Sequence, residues 1–169
     1  MNNYQGWLSI YKPVNITSFG VIKKIKKKFG IKKIGHAGTL DPLAEGILPV
    51  AIGKTTKLIS FINNAIKEYE FEIKWGEQTL TDDREGEIIS VSSHIPKVNI
   101  ICDKLKSFKG VISQSPPKAS AIKIDGKRAY RLLRNKEQFE IKKRLVKIYK
   151  AKFIEQPHYN ISKIKIICG

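Results

Sequence analysis

Asp41 is the only aspartate in a stretch built for irregular backbone. Residues 35–49 read Gly-His-Ala-Gly-Thr-Leu-Asp-Pro-Leu-Ala-Glu-Gly-Ile-Leu-Pro, with three glycines, two prolines and His36 around that carboxylate. Proline removes a backbone donor and glycine widens backbone freedom, so the stretch is expected to be neither a regular helix nor a central strand. Its apolar flanks argue against a solvated linker. An ordered loop that presents a carboxylate can supply a nucleophile or a proton acceptor. The same residues also suit a plain turn in which Asp41 caps a helix or sets up the Pro42 turn.

Other chemical motifs fail on spacing. Gly53-Lys54-Thr55 has the look of a P-loop end, but Leu48 stands where the required glycine belongs. His36, His94 and His158 are scattered and lack metal-ligand spacing. Cys102 and Cys168 stand far apart and suggest neither a disulfide framework nor a metal site. No metal and no organic cofactor are therefore expected, and a reducing cytoplasm fits.

Several elements must position the loop. Thr17 or Ser18 can cap a helix that runs to Phe29 and stops at Gly30. Val21, Ile22, Ile25 and Phe29 fall at helical spacing as its buried face, with Lys23, Lys24, Lys26, Lys27 and Lys28 opposite. Those lysines suit a solvated face or a phosphate contact equally. Thr55–Phe61 reads as a short helix. Lys67–Trp75 alternates as a half-buried strand, with Tyr69, Phe71, Ile73 and Trp75 on one face. A polar turn over 79–86 leads to a strand at 87–91. A helix is expected over 98–108, a strand over 119–124 and a helix over 126–134. Strands over 145–154 and 161–168 follow, the last leaving an exposed edge where the sequence stops. The pattern makes residues 1–169 one α/β or α+β domain with a mixed sheet.

Charge is the second signal. The 169 residues carry 32 Lys plus Arg against 15 Asp plus Glu, a net of +17. Such an excess is a self-repulsive liability without a polyanionic partner. A nucleic acid is favoured over an anionic membrane surface, although a lysine-rich composition accounts for part of the excess. No apolar run approaches the roughly 18 residues that span a bilayer, and Met1–Gln5 does not open a secretory signal.

Five blocks in order identify a resemblance that covers essentially the whole chain. The loop Gly35–Val50 resembles the signature loop of the TruB-type tRNA pseudouridine synthases almost residue for residue. Gly6–Pro13 with Thr17-Ser18 resembles the opening block of that family. Lys67-Glu68-Tyr69 is similar to its KxY element, Pro116–Lys123 to its PPxxSAxK block, and Gly126–Arg134 to its GxxxYxxAR block. The resemblance implies a mostly antiparallel central sheet flanked by helices. It also implies isomerisation of the T-loop uridine-55 of tRNA to pseudouridine, with the uridine flipped out of the T-stem-loop.

By this resemblance Asp41 is the essential aspartate, as nucleophile or as proton acceptor. His36 sits near the flipped nucleotide and Tyr69 packs on the target base. Lys12, Lys123 and Arg134 match basic positions, where phosphate contact and plain solubility remain equal readings. Asp83 matches a TxTxD turn, where it either holds an active-site cation or forms an Asx-turn. Glu45 stands where the family carries a small polar residue and receives no catalytic role. In the family, a strand like Ile164–Cys168 runs on into an arginine-bearing GxYIRxL segment and a small C-terminal RNA-binding domain. The chain thus reads as an N-terminal catalytic portion of an enzyme expected to be monomeric at full length, with no membrane partner. The alternative is a non-catalytic tRNA-binding or RNA-chaperone fragment.

Overall fold

In a computed structural model, which describes residues 4–62, 65–117, 122–135 and 137–169, Thr17 caps the first helix and its hydroxyl accepts from the Gly20 amide at 2.9 Å. That helix, α1 (Ser18–Phe29), ends at Gly30, whose left-handed backbone closes the last turn. Val21, Ile22 and, partly, Ile25 face inward as expected. Phe29 does not: it is exposed, and Lys28 Nζ lies 5.7 Å from its ring centre. As the last residue of α1 it has run past the sheet that would cover it.

The chain divides into two units, residues Met1–Ala65 and Ile66–Gly169. In the first, β1 (Gly6–Lys12), β2 (Ile34–His36) and β3 (Gly46–Ile52) form an antiparallel sheet in the order β1-β3-β2. A 3-10 turn over Gly53–Leu58 and a short helix α2 (Ile59–Ile62) occupy the segment that the sequence suggests is one helix. The expectation that residues 35–49 avoid a central strand is corrected at both ends. Gly35 and His36 belong to β2, and Gly46–Pro49 begin β3, the central strand. Pro49 is tolerated there for a geometric reason. A strand residue points its N–H and C=O to the same side, and the Pro49 carbonyl accepts from Ala37 at 2.9 Å, one residue beyond the end of β2. The donor that Pro49 lacks would also have faced that frayed end, so the ladder with β1 is complete. Val21 and Ile22 of α1 pack on Leu48 and Val50 of β3 to make the core.

The second unit is a four-stranded antiparallel sheet, β4-β11-β10-β7, built from β4 (Lys67–Lys74), β7 (Gly110–Gln114), β10 (Arg144–His158) and β11 (Ile161–Cys168). Helix α3 (Val98–Lys106) packs on β10. The fold is thus the expected mixed α/β class with antiparallel sheets. β11 is no edge: β4 flanks it on one side and β10 on the other. Its alternation of Ile164 with Lys163 and Lys165 marks two distinct faces. Strand β7 has no alternating pattern in sequence to announce it. The turn after β5 (Glu77–Thr79) leads to β6 (Ile88–Val91).

The expectation of a strand and then a helix over 119–134 needs two corrections. Residues 118–121 lie outside the described residues. Lys123-Ile124 and Lys127-Arg128 form a tight hairpin, β8–β9, before helix α4 (Ala129–Arg134) begins. Asp125 and Gly126 turn it with φ of 48° and 82°. Asp-Gly is a favoured pair for a two-residue turn in which both residues take positive φ. That local preference displaces the helix start by three residues.

One face of the second sheet is an ion-pair ladder. Lys165 bridges Glu68 at 2.9 Å and Glu70 at 2.8 Å, and Lys163 lies 3.7 Å from Glu155. The hydrogen bond from Lys165, then its charge, hold the Glu70 carboxyl below its ordinary value of 4.5, and the same contacts raise Lys165. A carboxylate with a depressed folded pKa stabilises above its unfolded value and loses that contribution as pH falls through the folded one. Stability of the sheet should therefore decline on acidification below about pH 4.5. Glu70→Gln should flatten that part of a urea-midpoint titration, and an unchanged acid limb would show the ladder to be inert.

Candidate active-site loop

The irregular part of the Asp41 stretch is residues 37–45, strung between β2 and β3. Three anchors fix it, all from the segment around the start of α1. The Ser18 hydroxyl, buried, donates to the Leu40 carbonyl at 3.0 Å and accepts from the Leu40 amide at 2.9 Å. The Asn15 amide donates to the Pro42 carbonyl at 2.7 Å. Asn15 holds φ at 63°, a left-handed conformation that asparagine tolerates better than most residues. Within the loop, Ala44 donates to the Asp41 carbonyl at 3.1 Å and closes a turn.

The turn that presents Asn15 is itself held from inside. The sequence suggests a phosphate contact or a surface residue at Lys12, and neither reading survives in this structure. Lys12 is fully buried, and its ammonium donates to the Pro13 carbonyl at 2.9 Å and the Ile16 carbonyl at 2.8 Å. It fastens residues 13–16, which in turn place Asn15 and the Thr17 cap.

Asp41 lies exposed on this pinned loop, and among the described residues its carboxylate takes part in no ion pair or side-chain hydrogen bond. His36, half-buried, stands where β2 enters the loop, with its Nδ1 against the Gly38 carbonyl. That contact folds the chain back within two residues, and Gly38 accommodates it at φ 72°. At the other end, the Glu45 carboxylate holds the Tyr11 phenol above its ordinary value, chiefly by hydrogen bonding and also by its charge. Tyr11 carries no signal in the sequence, because its partner is 34 positions away and the two meet only through the β1–β3 register, in which Tyr11 opposes Ile47. The loop is therefore both turn and presentation device. Asp41 sits in a turn, as one reading has it, and its side chain is left free for the other.

The remaining candidates belong to the second unit and occupy separate places there. Tyr69 is 43% exposed on β4, opposite Ile166 of β11. Asp83 organises the turn between β5 and β6: its carboxylate accepts from the Thr81 hydroxyl at 2.7 Å and the Glu85 amide at 2.9 Å, which is the Asx-turn reading. Lys123 is exposed in the β8–β9 hairpin, and Arg134 closes α4. The structure brings His36 and Asp41 together in one unit and leaves Tyr69, Asp83, Lys123 and Arg134 as features of the other.

The Ser18 anchor can be tested directly. Ser18→Ala removes both bonds to Leu40 and leaves a half-buried carbonyl and amide without partners. We expect a fold that survives with about 1–3 kcal/mol less stability. Where Asp41 is the reacting group of an active protein, turnover should fall by up to about a hundredfold, because a small displacement of a reacting group is that costly. The loss should appear in kcat and not in KM. A variant with native kcat would show that the loop holds itself.

The chain is of the α/β class with antiparallel sheets, and its aspartate loop is held between two strands of the three-stranded sheet. Over 98% of the chain it superposes on 40% of a chain in the crystal structure of a Cbf5-Nop10-Gar1 complex, with a TM-score of 0.67 and 26% identity. A chain in a structure of an H/ACA RNP bound to a substrate RNA containing 2'-deoxyuridine superposes with a TM-score of 0.65 at 24% identity, over 96% of this chain and 37% of that one. Residues 26–169 match the model of the TruB family pseudouridylate synthase (N terminal domain), and the chain belongs to that family. It is 48% identical, over 97% of its length and 47% of the relative's, to tRNA pseudouridine synthase B of Wolbachia pipientis. It is 44% identical, over 97% of its length and 52% of the relative's, to the protein of the same name in Agrobacterium fabrum. The chain spans about half the length of these curated relatives.

Proposed function

We propose that this chain supplies the catalytic aspartate of a tRNA pseudouridine synthase that converts the T-loop uridine-55 to pseudouridine. The observation that carries the reading is Asp41: an exposed carboxylate on a loop whose backbone is held at Leu40 and Pro42, in a chain of the TruB family. The reaction breaks the N–C glycosidic bond, turns the uracil and joins its carbon to the same sugar carbon. A carboxylate serves this by attacking the sugar to form a covalent adduct, or by taking the sugar proton next to the breaking bond. Either route needs a fixed Asp41 and a uridine extruded from its loop. His36 lies at the mouth of that loop as a neighbour for the extruded nucleotide. Tyr69 offers an aromatic face on which the base can stack, a contact of roughly 1–3 kcal/mol. Lys123 and Arg134 contribute positive charge for the phosphates, and Asp83 shapes the turn that carries it. No step calls on a metal or an organic cofactor.

The experiment is to incubate unmodified tRNA transcripts with the protein and map pseudouridine by carbodiimide labelling and primer extension. A stop at the T-loop uridine supports the proposal. The isolated T-stem-loop should also react, whereas a linear RNA of the same composition should not. Modification at other uridines only, or equal reaction of the linear RNA, would overturn the assigned substrate.

A further inference from the structure

The first unit carries a charge that nothing in it balances. Residues 1–65 hold ten lysines and only two carboxylates, Asp41 and Glu45. Seven of the ten lie in residues 23–33. In the second unit the lysines of β11 are consumed by the glutamates of β4. By contrast, no ion pair among the described residues involves Lys23, Lys26, Lys32 or Lys33.

Those four lysines rim one open groove of about 480 Å³. It lies between α1 and the segment leading into β2, and Phe19, Ile22 and Ile34 contribute its apolar lining. Phe19 is 70% exposed. A large aromatic left in water at the head of a helix, beside unpaired ammonium groups, is poor design for solubility alone. It is the arrangement that holds an unpaired nucleic-acid strand, where a base stacks on the ring and neighbouring phosphates meet the cations.

We infer that this groove is a second RNA-binding surface, taking a single-stranded or unstacked segment of the RNA with one base on Phe19 and its flanking phosphates on Lys23, Lys26, Lys32 and Lys33. The groove begins beside the helix end that pins the Asp41 loop: Ser18, which clamps Leu40, is the neighbour of Phe19. An RNA held in the groove is thereby tethered to the element that positions the carboxylate. An anionic membrane is the competing occupant, and the helix is badly made for it. A helix that lies on a bilayer inserts a broad apolar face, whereas the apolar face of α1, Val21 and Ile22, is already spent on β3. The inference uses the tRNA reading only to choose the probe.

The test measures tRNA affinity across added salt for the wild type, for Phe19→Ala and for Lys23→Gln/Lys26→Gln, with thermal melts to confirm folding. All three substituted side chains are exposed. In the lysine variant the slope of log affinity against log salt should shrink by about 0.7–0.9 for each phosphate no longer neutralised. Phe19→Ala should weaken binding between about fivefold and a hundredfold with the slope unchanged. A photo-cross-linking phenylalanine analogue at position 19, in protein that also carries Asp41→Asn, should label tRNA. Vesicles of phosphatidylcholine and phosphatidylserine offered in its place should remain unlabelled. A natively melting lysine variant with the wild-type slope, or labelling of vesicles but not of tRNA, overturns the inference. Because none of these readouts needs turnover, failure of the groove is distinct from failure of Asp41 as catalyst.

Discussion

Asp41→Asn should abolish pseudouridine formation, with a fall of about three orders of magnitude or more in the single-turnover rate, while tRNA affinity stays within a few fold of wild type. The substitution keeps size and shape and removes only what the chemistry needs. An amide is neither a nucleophile for the sugar nor a base for its proton, so the change is equally severe on both routes. The loop should keep its form, because its anchors do not involve the carboxylate. Leu40 is held by Ser18, Pro42 by Asn15, and the turn is closed by the backbone of Ala44. On the proposed reading, binding draws chiefly on the basic surface and should lose nothing. The companion variant is Glu45→Gln. Glu45 is the other carboxylate of the loop, but it is engaged with the Tyr11 phenol, so most activity should remain. The measurement is quantitative primer extension on T-loop uridine after saturating binding. Conversion by Asp41→Asn within a few fold of wild type, or a larger loss in Glu45→Gln, would remove Asp41 from the centre of the reaction.

Much of this site can be read in the residues because its signals are local. The Gly/Pro density of residues 35–49 announces an ordered irregular segment, and the cap at Thr17 with the stop at Gly30 bounds α1 within a residue. The alternation of Lys67–Trp75 and of Ile161–Cys168 marks two strands that prove to be neighbours. What is not legible depends on pairing. The loop at 35–49 lends its two ends to β2 and β3, and only the register with β1 shows that Pro49 can stand in a central strand. Strand β7 exists because β10 offers it a partner over Arg144–Ile148, not because its own sequence alternates. The Asp125-Gly126 turn is a local signal, but the helical pattern of the residues after it outweighs it. Tyr11 meets Glu45 through the sheet, a proximity that no spacing in one chain reveals.

Lys12 is the sharpest of these failures. A lysine beside a proline near the start of a strongly basic chain looks like a phosphate contact, yet its side chain is buried to the last atom. Two accounts of the residue predict opposite results for Lys12→Met, which keeps the length of the stem and discards the ammonium. If Lys12 met a phosphate, tRNA affinity would fall, the salt slope would shrink by about 0.7–0.9, and stability would hold. The buried geometry predicts the reverse. The Pro13 and Ile16 carbonyls, both in part-buried bonds, lose their donor, at up to about 1–3 kcal/mol each. Part of that is offset, because the cost of burying an ammonium disappears as well. A net loss of about 2 kcal/mol is expected, and it lowers the melting temperature by about 4–8 °C for a chain of this size. The damage should also reach the chemistry. Residues 13–16 would loosen, Asn15 would lose its hold on Pro42, and kcat should fall while the salt slope of tRNA binding stays at its wild-type value. Melting curves, salt titrations and kcat on the same preparation decide between the two. A Lys12→Met protein with native stability and a shallower salt slope would return Lys12 to the RNA-binding surface and leave the Asp41 loop without its internal brace.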